Sequence, residues 1–265
     1  MSDVAWTSAG YLKADQYRDS SKLAARANLH SYGRGDWFEW VARQVPWPAG
    51  GRVLELGCGA GWLWEKGAAD IPRDLDLTLS DLSPGMVGEA LARARGLGRS
   101  ANGEAADAAA LPFADESFDL VLAMHMLYHL SDPAAGVREI VRVLKPGGMA
   151  VIATNGRETM AELFALKAAV FGGAARDELI DGFNLECGRP MLEAVFDAVE
   201  LRAYDDELAI TDPEAVFAYH SSSPPGDTAS PEQRQALHAA IAARFEAGGG
   251  VFRVRKSVGL FVCRK

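Results

Sequence analysis

Residues 52–62 read RVLELGCGAGW. Gly57, Gly59 and Gly61 follow an apolar run with the pattern of a buried strand, and a helical pattern begins directly after them. Glycine has no Cβ, so such a turn lets a ligand approach the main chain. The start of the helix adds N–H groups without intrahelical partners and a positive dipole end. Two carboxylates frame the turn. Glu55 stands two residues before Gly57, and Asp81 stands 20 residues after Gly61, at the end of the strand pattern LDLTLSD. At that place in a doubly wound sheet a carboxylate accepts from ribose hydroxyls. The set therefore points to a nucleoside ligand. Dinucleotide turns run GxGxxG, whereas this one runs GxGxG with Trp at position 62. Glu55 would repel a pyrophosphate and suits a positive ligand, such as a sulfonium or an ammonium. Cys58 inside the turn reads as a small filler rather than a nucleophile.

These residues need strands to hold them, and the pattern supplies them. Residues 1–50 read as a helical cap, with SKLAARANLHSYG and DWFEWVARQV as amphipathic segments and PWPAGG as the break. From 51 to 155 strand and helix patterns alternate. RVLEL, LDLTLSD, a weaker stretch before DAAALPF, FDLVLAM and MAVIAT read as five strands. A helix follows the glycine turn over 61–69. Ser83 and Pro84 suit the N-cap and first position of the next. Asp132 and Pro133 open a third, with Val137, Ile140, Val141 and Leu144 as its apolar stripe and KPGG as its stop. Alternation of this kind implies an α/β fold, a mostly parallel sheet with helices on both faces. Residues 156–265 offer a helix near 158–171, then strand material at 196–211, a helix after SSSPPGDTASPE and a final strand SVGLFVCRK. That makes about seven strands. Between them, DGFNLECGRP reads as a lid, from its glycines and the isolated Phe183 and Leu185.

At this point the chain resembles the class I S-adenosylmethionine (SAM)-dependent methyltransferases, in the group of small-molecule enzymes similar to ubiquinone/menaquinone methyltransferases. VLELGCGAGW is similar to that family's first motif, E/D-x-GxGxG, and LTLSDLSPGMV to its second. GEAADAAALPFADESFDLVLAMHMLYHL and REIVRVLKPGGMAVIA follow in the family's order. The resemblance implies a Rossmann-like, seven-stranded fold and SAM as cofactor, with S-adenosylhomocysteine as product. It implies that Glu55, Gly57, Cys58, Gly59, Gly61, Asp81 and His125 line the cofactor. Leu82 and Met86 would lie near the adenine, and Asp107 would meet its amino group with Ala106 and Ala108 alongside.

Acceptors in doubly wound sheets sit over the carboxyl ends of the strands, here at AMHMLYHL. His125, Tyr128 and His129 are spaced i, i+3, i+4, one face if the segment is helical. Histidine titrates near neutral pH, so His125 is the expected base, facing the acceptor. The cap adds Tyr11, Tyr17, Arg26, His30, Tyr32, Trp37 and Trp40. Tyr17 and Arg26 are expected over the cofactor, Arg26 toward its carboxylate, and Tyr32 on the acceptor side. No D/N-P-P-Y/F/W follows the fourth strand, and no acidic trio suggests a Mg²⁺ site. The expected reaction is metal-independent transfer to an O, N or C atom of a small molecule. Methylation of RNA or protein, SAM binding without catalysis, and a nicotinamide enzyme are the rivals.

Bulk composition agrees. The chain has 265 residues, 49% of them hydrophobic, enough to bury a core. Its net charge of −9 argues against a nucleic-acid partner. The basic clusters RARGLGR (93–99) and FRVRK (252–256) read as solvated faces. The N-terminus does not read as a signal peptide, and no apolar run reaches membrane-span length. Three separated cysteines suit reduced thiols in the cytoplasm, and no CxxC or HExxH spacing suggests zinc. The expectation is a cytoplasmic monomer or homodimer.

Overall fold

The computed structural model describes residues 27–265. A 3₁₀ turn at His30–Tyr32 precedes helix α1 (Trp37–Gln44). The alternating section follows: β1 (Arg52–Leu56), α2 (Trp62–Lys66), β2 (Asp76–Asp81), α3 (Pro84–Gly96), β3 (Ala101–Ala105), β4 (Phe118–Met124), α4 (Pro133–Val143) and β5 (Leu144–Asn155). The rest comprises α5 (Ala161–Phe171), α6 (Leu185–Glu193), β6 (Ala198–Ile210), α7 (Pro213–Ser221), α8 (Pro231–Ala247) and β7 (Phe252–Arg264). The seven strands form one sheet in the order β3-β2-β1-β4-β5-β7-β6. β1 to β5 are parallel, and β7 runs antiparallel to both β5 and β6.

Successive strand residues face opposite sides, and in the central strands β1 and β4 both sides are dry. Val53, Leu120 and Leu122 bury one way, against Val41 of α1, Trp64 of α2 and Ala90 of α3. Leu54, Val121 and Ala123 bury the other way, against Val137 and Ile140 of α4 and Leu192 of α6. A parallel sheet needs this double cover. A third core joins α5, α7 and α8 to the far ends of β6 and β7 through residues such as Leu166, Ile210, Val216, Ile241 and Val254. No helix among the described residues is long and apolar enough to cross a membrane.

Local chemistry sets the helix starts. Ser83 Oγ accepts from the Met86 N–H at 3.4 Å with Pro84 next in line, and Asp36 Oδ1 accepts from the Phe38 N–H at 2.8 Å. Asp132 opens α4 without a side-chain cap bond and pairs with Arg138 instead. Helix α2 is shorter than expected and ends at Gly67, where a Cβ would lie 2.7 Å from Ala42 Cβ. Val143 takes the buried place in α4 expected of Val141, and Leu144 begins β5.

Three expectations are corrected. The basic cluster at 93–99 is not a solvated face. Arg99 is buried and donates to the carbonyls of Pro72 and Ile71 at 2.6 and 2.8 Å, while Arg93 holds the carbonyl of Ala60 at 2.8 Å and pairs with Glu65. At 252–256 the reading holds for Arg253 and Arg255, exposed and paired with Glu207 and Glu162, and fails for Lys256, which is buried against Asp206. Phe183 does not belong to a lid. It is fully buried and meets Phe261 of β7 edge-on at 6.5 Å, and Asn184 behind it caps α6 by accepting from the Cys187 N–H at 2.9 Å. A large apolar ring with a core partner stays in the core. Phe183→Ala should therefore lower unfolding stability by about 3–5 kcal/mol. Denaturant titration checks this; a lid residue would leave the midpoint nearly unmoved.

Candidate cofactor and acceptor site

The carboxyl ends of β1, β2 and β4 open into one cavity of about 1850 Å³, closed on the far side by residues 27–38 and by the start of the C-terminal part. Its two ends differ in chemistry.

The first end is the glycine turn. Gly57, Gly59 and Gly61 have φ of 64°, 50° and 76°, the left-handed region that side chains resist. A Cβ on Gly57 would lie 2.7 Å from Met126 Cβ, and one on Gly61 would lie 3.0 Å from Ala90 Cα. The turn is thus pressed between the β4 end and α3. Asp81 locks it. The Gly59 N–H donates to Asp81 Oδ2 at 3.0 Å and the Ser83 N–H to Oδ1 at 2.9 Å. Each carboxylate oxygen keeps accepting capacity for a further donor. Burial raises the Asp81 pKa, and the bonds from Ser83, Gly59 and Leu82 oppose that rise.

Glu55 is only 2% exposed, yet it lines the cavity. The buried Trp64 donates its Nε1–H to Glu55 Oε2 at 2.5 Å. Burial pushes the Glu55 pKa up to about 8, with the Trp64 bond working against the shift and Asp81 adding to it. Glu55 thus carries a proton at neutral pH, and a cation brought beside it would favour the charged form. Cys58 is buried, and burial together with Glu55 and Asp81 raises its thiol above the ordinary range, so it is a filler and not a thiolate.

Leu82, Met86, Ala106, Asp107 and Ala108 line the same end. Asp107 Oδ1 accepts from the Ala109 N–H at 2.9 Å, which caps its own turn and leaves Oδ2 without a partner among the described residues. A nucleoside sulfonium fits this wall: an anchored carboxylate, a buried carboxyl that a cation would ionise, and a main chain with no Cβ in the way.

The second end begins at His125. It has φ of 55°, one of three non-glycine residues among those described with positive φ. Its N–H donates to the Ala153 carbonyl at 3.1 Å, extending the β4–β5 ladder by a residue, and its ring lies 5.3 Å from that of Trp37. Burial, Lys256 and His129 hold its pKa near 4. The helical face expected for His125, Tyr128 and His129 does not form: a 3₁₀ turn at Leu127–His129 follows a bend, and His125 lies outside it. The strained backbone turns all three onto the cavity nevertheless. Tyr32 is a correction. It packs on the third core, while His30 and Ser31 face the cavity. A 3₁₀ turn spreads neighbouring side chains in different directions, and the phenol ring takes the apolar one. Tyr11, Tyr17 and Arg26 lie outside the described residues.

Two residues at this end escaped sequence reasoning as site candidates: His30, read only as part of the cap, and Lys256, read as part of a solvated cluster. Lys256 has a signal in hindsight. It interrupts the inward row Phe252, Val254, Val258, Leu260 of β7, and a lysine in a buried row needs a partner.

Residues 54–152 match the family model of a methyltransferase domain. The malonyl-[acyl-carrier protein] O-methyltransferase of Hahella chejuensis is 36% identical over 121 residues, 46% of this chain and 42% of that protein. The ubiquinone/menaquinone biosynthesis C-methyltransferase UbiE of Geobacter sulfurreducens is 36% identical over 120 residues, 44% of this chain and 46% of that protein. The chain thus spans less than half the length of these two curated relatives. Among solved structures, phosphoethanolamine N-methyltransferase 2 of Haemonchus contortus, in complex with phosphomonomethylethanolamine and S-adenosylhomocysteine, shares the fold. It has a TM-score of 0.56 at 20% identity, over 96% of this chain and 59% of that one.

The left-handed His125 stores strain of roughly 1–3 kcal/mol. Glycine tolerates that conformation and alanine does not. His125→Gly should unfold at higher denaturant than His125→Ala, by about 1 kcal/mol. Equal midpoints would mean that the backbone relaxes.

Proposed function

We propose that this protein, whose residues 54–152 form a class I, SAM-dependent methyltransferase domain, transfers a methyl group from SAM to a small-molecule acceptor at the His125 end of the cavity. The observation that carries the reading is the pair of carboxyl groups at adjacent strand ends, Asp81 held by two backbone N–H groups and Glu55 buried beside it. In this reading Asp81 accepts from the ribose, and Glu55 faces the positive part of the cofactor. Leu82, Met86, Ala106, Asp107 and Ala108 enclose the adenine, and Gly57, Cys58, Gly59 and Gly61 carry the main chain past it. When bound, the sulfonium supplies an already activated methyl group.

The chain's own task is then to align the acceptor and accept its proton. His125 suits the proton's path. Its pKa near 4 leaves it neutral across the physiological range, so it is in its base form, although a weak one. Tyr128 and His129 would shape the acceptor wall. Transfer requires water to be excluded, and residues 27–38 cover the cavity from the N-terminal side. The relatives named above differ by name, one an O-methyltransferase of malonyl-[acyl-carrier protein] and the other a C-methyltransferase of ubiquinone/menaquinone biosynthesis, so the core alone does not select the acceptor. The protein is proposed to act in the cytoplasm as a monomer or homodimer, without metal, nucleic acid or membrane.

The test uses SAM with a radiolabelled methyl group, purified protein and a cell extract separated into small molecules, protein and RNA. Label is expected among small molecules, and His125→Ala should cut its rate about a hundredfold or more with SAM binding unchanged. Label confined to precipitable protein or RNA would replace this reading with a macromolecular one. SAM bound without any transfer would leave a binding protein.

A further inference from the structure

We infer that the acceptor's reacting group is an acidic hydroxyl, of the phenol or enol kind, held as its oxyanion by Lys256 beside His30 and His125. This rests on the methyl-transfer reading and adds the class of acceptor.

Lys256 is an unusual wall residue. Its side chain is 7% exposed, and it lines the cavity. Its ammonium lies 5.2 Å from the centre of the Tyr204 ring and pairs with Asp206 Oδ2 at 3.3 Å. Asp206 is 1% exposed and is tied from behind: the N–H groups of Arg34 and Glu207 both donate to its Oδ1 at 2.9 Å. The carboxylate therefore orients Lys256 while sharing its charge with the main chain. A lysine ammonium has three donors, and the described residues give Lys256 Nζ one hydrogen-bond acceptor.

The cap is pressed onto this pair. A Cβ on Gly33 would lie 2.5 Å from Asp206 Oδ2, and the Gly33 N–H closes the 3₁₀ turn onto the His30 carbonyl at 3.1 Å. That turn delivers the His30 ring to the cavity. After burial, Lys256 is the strongest influence lowering both His30 and His125, and each histidine is neutral at physiological pH. Lys256 from β7, within electrostatic reach of both imidazoles, and two neutral bases from the cap and the β4 end line one cavity.

The cluster selects by charge. An amine acceptor arrives as an ammonium, and Lys256 repels it. The acids that act on Lys256 are engaged: Asp206 as above, and Asp36 with Lys66 at 2.8 Å and the α1 N–H groups. An acidic hydroxyl finds what it needs. Its O–H bond breaks, the imidazole of His30 or His125 relays the proton to solvent, and the electron pair stays on oxygen beside Lys256. Preorganised cations in a site closed to water stabilise such charge strongly.

The test is spectroscopic and uses the full chain saturated with S-adenosylhomocysteine. The probe is 4-nitrophenol, whose phenolate has a visible band, with 4-nitroaniline as the uncharged match. At a pH one unit below the probe's solution pKa, the bound probe should show the phenolate band, with its apparent pKa lowered by about one unit. It should bind about tenfold or more tightly than 4-nitroaniline. Lys256→Met alone would strand Asp206 in the interior, so it is paired with Asp206→Asn. The double variant should lose the band and keep S-adenosylhomocysteine affinity. Binding as the neutral phenol, no preference over 4-nitroaniline, no binding, or a band that survives in the double variant would overturn the inference. Failure of S-adenosylhomocysteine itself to bind would overturn the methyl-transfer reading beneath it.

Discussion

The bonds that tie Asp81 to the N–H groups of Gly59 and Ser83 organise the rest of the site. They join the loops after β1 and β2, so neither loop can shift without breaking a charge-assisted bond. The left-handed glycines follow from this, since only they bring the Gly59 N–H to the carboxylate while passing Met126 and Ala90. Arg93 then fixes the Ala60 carbonyl from α3. The result is a rigid carboxylate with lone pairs left over, placed beside a second carboxyl that burial keeps protonated. A cation brought beside Glu55 would favour its carboxylate, so the protein's own charge balance favours a positive ligand there.

The opposite end relies on a different constraint. The Lys256–Asp206 pair is buried, and buried pairs gain little net stability because both charges lose water. Breaking one is expensive, since a charge is then left alone. Its place under Gly33, which leaves no room for a Cβ, is better explained by what it does for the cavity than by stability. The strained backbone at His125 is of the same kind: conformational energy held where β4 meets the cavity.

Legibility in the sequence followed range. The strand patterns, the glycine turn and Asp81 were readable because each is local, and the five parallel strands lie where the pattern placed them. The two C-terminal strands were readable by composition. Where a fact depended on distant residues it was not. Lys256 and Asp206 are fifty residues apart and His30 further still, so a solvated cluster was the natural reading of FRVRK. Phe183 looked isolated because its partner, Phe261, is in the last strand. Arg99 looked exposed because the carbonyls it caps belong to the turn before β2. Tyr32 and the face of His125, Tyr128 and His129 depended on 3₁₀ geometry, which shares too much of its pattern with α-helix for spacing to separate.

Calorimetric titration of the protein with SAM, repeated near pH 7 in two buffers of different ionisation heat, tests the central claim that this strand-end site takes a nucleoside cation. Glu55 is protonated in the free site below about pH 8, and the bound cation favours its carboxylate. Binding should therefore release close to one proton, affinity should rise with pH toward 8 and level off above it, and Glu55→Gln should abolish the release. Binding of NAD in place of SAM, or SAM binding with no proton released from the native protein, would contradict it.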